Sequence, residues 1–130
     1  MKKIVLALLL GFFCSAASAA WTPWFVNGAG DKIFLDKATA KSVDGVVSVW
    51  QRSDLIAPFT IGNLTTYSIL TYTEIDCKGG RWRQIKLKSY YAPNLGGEPS
   101  SEIDGLKVWL PSPAGSAAGK SFAVLCSVKQ

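Results

Sequence analysis

The sequence predicts an α+β fold: an antiparallel meander sheet of about five or six strands, one C-terminal helix packed on one face, and a disulfide stapling the two together. Three observations carry this. Residues 65–77 and 81–91 are long period-two segments rich in Thr, Tyr and Ile, joined by Lys78-Gly79-Gly80, which is a hairpin pattern. Residues 117–128 switch to helical spacing behind a Pro/Ser/Gly break. Once an N-terminal export leader is removed, Cys77 and Cys126 are the remaining cysteines, and an even count in a small exported domain reads as one disulfide.

The leader is MKKIVLALLLGFFCSAASA. Lys2 and Lys3 start it, Ile4 to Phe13 form an apolar run, and Ala17-Ser18-Ala19 offers a small-residue cleavage site. Residues 1–19 are thus expected to be a signal peptide cut near Ala19, and residues 20–130 a single domain. Cys14 follows Phe12 and Phe13 rather than a small residue, so no lipid anchor is expected. Losing Lys2 and Lys3 leaves twelve basic residues against nine acidic ones, so the formal charge falls from +5 to +3. No apolar stretch after Ala20 reaches the ~20 residues of a membrane-spanning helix. The expected location is periplasmic or secreted, with no stable membrane insertion.

Along the mature chain, Trp24 to Val26 and Lys32 to Asp36 read as short strands separated by the turn residues Asn27 to Asp31. Asp44-Gly45 is a tight-turn pair, and Val46 to Arg52 is a β-branched strand holding Trp50. Ser53 to Asn63, with Pro58 and Gly62, reads as a loop. In the strand from Thr65 to Cys77, alternation puts Tyr67, Ile69, Thr71, Thr73, Ile75 and Cys77 on one face, assigned to the core because Cys77 must reach a partner. In the return strand, Ile85 and Leu87 take the core face, opposite Trp82, Lys86, Lys88 and Tyr90. Pro93 to Pro99 reads as a flexible loop, and Ile103 to Leu110 as a last strand that Asp104-Gly105 bends. Ser116 is the expected N-cap of a helix that places Phe122, Leu125 and Cys126 on one side; a C-terminal strand is the alternative.

The chain has no histidine, which removes Ser-His and Cys-His nucleophile pairs, a histidine base and most zinc sites. Glu74, Asp76, Glu98, Glu102 and Asp104 follow no catalytic spacing and read as solvated surface charge. No catalytic residue, metal or cofactor is therefore expected. The candidate partner-binding residues are Arg81, Trp82, Arg83, Lys86, Lys88 and Tyr90, basic and aromatic positions interleaved on one strand beside Lys78. They suit either an acidic partner or a solvated strand whose lysines resist aggregation. Nucleic acid is not expected as a ligand for an exported chain.

Ile33-Phe34-Leu35-Asp36, Val49-Trp50, Glu74-Ile75-Asp76-Cys77, Arg81, Lys88-Ser89-Tyr90-Tyr91, Trp109 and Cys126 occur in an order that resembles the surface-adhesin protein E family of small exported bacterial domains. The resemblance runs from about Trp24 to Cys126. It implies an antiparallel sheet backed by a helix, a Cys77–Cys126 bond, a tendency to dimerise and, for the namesake, attachment to host extracellular proteins. The expected function is that of a non-enzymatic envelope protein that binds a macromolecule or itself. A periplasmic inhibitor of an envelope hydrolase, using Pro93 to Ser101 as a protruding loop, is the alternative. One helix cannot cover a wide sheet, so a homodimer through the uncovered surface, with Trp50, Trp82 and Tyr90, is also expected.

Overall fold

The computed structural model describes residues 21–127. The leader, its cleavage site, Cys14 and Val128 lie outside the described residues. The strands are β1 (Trp21–Val26), β2 (Lys32–Asp36), β3 (Lys41–Val43), β4 (Val46–Ile61), β5 (Leu64–Asp76), β6 (Arg81–Ala92), β7 (Gly96–Pro99), β8 (Ile103–Asp104) and β9 (Leu110–Pro111), followed by helix α1 (Ala117–Ser127). All nine strands join one antiparallel sheet whose main path is β1-β2-β4-β5-β6-β7, a meander as expected. β2 and β3 sit end to end along β4, and β7, β8 and β9 line the outer edge of β6.

Local chemistry accounts for the well-read elements. Asp44 and Gly45 both have positive φ, the geometry of a two-residue turn that suits the twist of the β3–β4 hairpin. Gly80 has positive φ in the β5–β6 turn. Ser116 caps α1: its hydroxyl accepts from the Gly119 N–H at 3.0 Å. The C-terminal segment is the helix, and the strand alternative is set aside.

The core lies between α1 and one face of the sheet. Leu35, Val47, Val49 and Ile75 meet Phe122 and Leu125 there. A bulge in β1 leaves Trp24 without a cross-strand partner, so Trp24 and Phe25 both reach Phe122, with ring centroids 5.3 and 6.4 Å away. The Trp24 indole N–H donates to the Ser121 carbonyl at 3.3 Å, tying edge strand to helix. Cys77 and Cys126 are bonded, with Cα atoms 5.7 Å apart, which pins the last turn of α1 to the end of β5.

Several expectations are corrected. Ser53 to Asn63 is no loop: β4 continues to Ile61 and forms, with β5, a two-stranded arm beyond the sheet. The register breaks between Asp54 and Phe59, so Pro58 falls where no ladder hydrogen bond is lost. Pro93 to Pro99 forms a 3-10 turn (Pro93–Leu95) and then β7, held to β6. Ser68, buried beneath that turn, donates to the Ala92 carbonyl and accepts from the Leu95 N–H, at 2.8 and 2.9 Å. The upper part of β5 therefore buries Thr66 and Ser68 under the turn, and Tyr67, expected inside, is exposed. Ile103 to Leu110 is not one strand but two short pairings, β8 and β9, on either side of a looped-out segment.

The largest correction concerns β6. Tyr72 pairs with Lys86 but Thr73 pairs with Gln84, so Ile85 is an extra, bulged residue and the faces exchange there. Trp82, expected outside the core, pairs with Ile75 and packs on Phe122 at 6.1 Å. Ile85, expected inside, turns to the opposite face beside Trp50 and Tyr72. The bulge is clasped by the segment after β8: the Gly105 N–H donates to the Ile85 carbonyl at 2.8 Å, and the Lys107 N–H to the Gln84 carbonyl at 3.1 Å. A Cβ on Gly105 would collide with the Gln84 carbonyl. Gly105→Ala is therefore expected to cost about 1–3 kcal/mol of stability, as overpacking does, measured by urea unfolding; a neutral result would mean the clasp is not closed in solution.

Candidate functional site

The face of the sheet away from α1 is where the candidate residues gather. Cross-strand pairing sets Trp50, Tyr72 and Lys86 in one row, and Arg52, Leu70 and Lys88 in the next. Trp50 and Tyr72 pack with ring centroids 5.0 Å apart, above a shallow hollow completed by Thr39, Lys41, Ile85 and Lys86. Because of the bulge, Arg81 and Arg83 face the same way as Lys86 and Lys88; strict alternation would have split them between two faces. Tyr90, paired with Ser68, belongs to this face as well. Of the six candidate residues, Trp82 alone is displaced, into the core.

Aromatic rings and cations alternate across this surface. The Arg81 and Arg83 guanidinium groups lie over the Trp109 ring at 4.7 and 4.3 Å. At the other end, Arg52 sits over Phe34 at 4.0 Å and near Trp21 at 5.6 Å. Sequence alone does not mark Phe34, Trp21 or Trp109 as site residues: the pairing of β1, β2 and β4 brings Phe34 and Trp21 beside Arg52, and the loop before β9 brings Trp109 over Arg81 and Arg83.

The charge is largely compensated within the face. Arg81 pairs with Asp76 at 2.8 Å, Arg83 with Glu74 at 3.0 Å, Arg52 with Asp54 at 3.0 Å and Lys86 with Glu102 at 3.3 Å. The Gly79 N–H and the Arg81 side chain both donate to the Asp76 carboxylate and hold its pKa below the ordinary aspartate value, the backbone contribution being the larger. Glu74, Asp76 and Glu102, read as solvated charge, are thus partners of the basic residues. Lys88 makes no ion pair among the described residues, and the face as a whole is mixed rather than basic. Among the described residues no cluster of His, Cys, Asp and Glu could hold a metal ion. What the arrangement offers is stacking area and oriented donors, the chemistry of recognition.

Lys86 and Glu102 are about half exposed, and such pairs contribute only about 0.2–1 kcal/mol. Lys86→Gln and Lys88→Gln are each expected to move stability by no more than about 0.5 kcal/mol in urea titrations. A larger loss from either would place these side chains in a supporting role.

One meandering sheet, one helix clamped to it and a long-range disulfide define a class of small, stapled α+β domains. Two solved structures share the fold. Haemophilus influenzae protein E matches with TM-score 0.62 and 12% identity, over 85% of this chain and 86% of that one. Protein E from non-typeable Haemophilus influenzae matches with TM-score 0.64 and 11% identity, over 87% and 79%. The family model of surface-adhesin protein E matches residues 21–127, and the chain belongs to that family. No curated protein matches it. It is a surface-adhesin-like protein, and no described helix is long and apolar enough to cross a membrane.

Proposed function

We propose that the exported, unlipidated chain is a non-enzymatic envelope protein that binds an extracellular or envelope protein through the uncovered sheet face. The observation that carries this is the convergence of Trp50, Tyr72 and Trp109 with Arg81, Arg83 and Lys86 on one surface. Trp, Tyr and Arg are the side chains that dominate binding hot spots, and ion pairs made in advance hold the arginines in place before contact. The test is a photo-crosslinking residue placed at Lys86, and separately at exposed Val124 on α1, in cells exporting the protein. A discrete adduct from position 86 that Trp50→Ala abolishes, absent from position 124, supports the reading. Equal labelling from both positions, or none from position 86, overturns it. The inhibitor alternative, through Pro93 to Ser101, has less support, since Gly96 and Pro99 of that segment pair with Ala92 and Tyr90 of β6.

The second part of the proposal is a homodimer, and the β4–β5 arm supports it. Leu55 to Tyr67 contains no charged residue. β2 covers β4 only as far as Asp54, the Asp31 carboxylate takes the Ile56 N–H, and β6 covers β5 only from Ser68, so the rest of the arm has two open edges. Ile56, Phe59, Ile61 and Leu64 are exposed on it. Sedimentation equilibrium at micromolar concentration is expected to show a dimer that Ile61→Lys disrupts. A strict monomer would remove this part while leaving the binding face in play.

A further inference from the structure

On the opposite side of the molecule, β1, β2 and α1 enclose an open groove of about 580 Å³. Trp24, Leu35, Val124 and Leu125 form its apolar walls, and Lys37 and Lys120 stand at its rim. The Trp24 N–H is already used by the Ser121 carbonyl, so the indole presents carbon to the groove. Val124 is 62% exposed, an apolar side chain left against water beside the opening. Neither rim lysine makes an ion pair among the described residues, although most of the cations on the other face do. A volume within the ~300–1,000 Å³ usual for ligand sites, apolar walls and two exposed lysines without ion pairs lining the same groove form a set. Their complement is a molecule with a hydrocarbon chain and an anionic head.

We propose that this groove binds an anionic amphiphile of the fatty-carboxylate class, its chain against Trp24 and Leu125 and its head between Lys37 and Lys120. The site is separate from the uncovered sheet face, so it stands or falls independently of the protein-binding reading. Apolar burial supplies affinity, and the two lysines supply the preference for negative charge.

The experiment uses the exported chain, dodecanoate below its micelle-forming concentration, and two probes with the same chain length: dodecan-1-ol and dodecylammonium. Binding is followed by tryptophan fluorescence and by calorimetry. Dodecanoate is expected to bind about tenfold more tightly than the alcohol, the combined effect of two partly exposed charge contacts, with dodecylammonium weakest. Trp24→Phe should abolish the fluorescence change and weaken the calorimetric binding, because it trims the groove wall. Both lysines are exposed, so Lys37→Glu with Lys120→Glu should keep the thermal midpoint and invert the preference toward dodecylammonium. Equal affinity for the three probes, a fluorescence change that survives Trp24→Phe, or no inversion in the double variant would each overturn the proposal.

Discussion

Replacing Cys77 and Cys126 together by alanine is expected to lower stability by about 4 kcal/mol. The bond joins residues separated by 49 positions, and the chain-entropy model for closing such a loop in the unfolded state gives that value. The native state suffers too. α1 has 11 residues, too few to persist alone in water, and the bond is what fixes its C-terminal turn to β5. Urea unfolding of the double variant beside the wild type measures the loss, and intact mass after alkylation without reductant should show no free thiol at either position in the exported protein. Two alkylated thiols, or a loss under about 1 kcal/mol, would show that packing rather than the bond holds the helix.

Phe122→Ala is expected to cost about 3–5 kcal/mol, the range for deleting a buried aromatic side chain. Phe122 is buried and meets Trp24 and Phe25 of β1 and Trp82 of β6, side chains from opposite sides of the sheet. Its removal leaves a cavity, and the disulfide at the end of α1 restricts the shift the helix would need to fill it. Val124→Ala, two residues on and exposed, should change stability by no more than about 0.5 kcal/mol in the same assay. Comparable losses from the two substitutions would mean the helix is rotated from the orientation described. Because Phe122 and the disulfide hold the same helix, combining Phe122→Ala with the cysteine pair should cost less than the separate losses added together.

The elements the sequence specified were those whose signals are local. Asp44-Gly45 can satisfy positive φ within two residues, Ser116 caps a helix by reaching three residues ahead, and alternation from Thr71 to Ile75 tracks one buried face. The Cys77–Cys126 pairing was legible for a different reason: past the expected leader the sequence has just two cysteines to join. The candidate strand was legible as a basic and aromatic segment, but its geometry was not. Alternation assumes an unbroken ladder, and nothing in Arg81 to Ala92 marks Ile85 as the residue that breaks it.

The sequence by itself therefore determined the class of fold, the order of most strands and the clamp, because each rests on period, turn chemistry or cysteine count, while the helix over a C-terminal strand was settled by the structure. Tertiary structure alone decided which side chains share a surface. The Ile85 bulge sent Trp82 inward to Phe122 and brought Arg81 and Arg83 round to Lys86; the broken register after Asp54 made an expected loop into an open-edged arm. The physical reason is that a face depends on parity accumulated along a ladder. One extra residue, set by contacts with a distant segment such as Gly105, inverts that parity for every position beyond it.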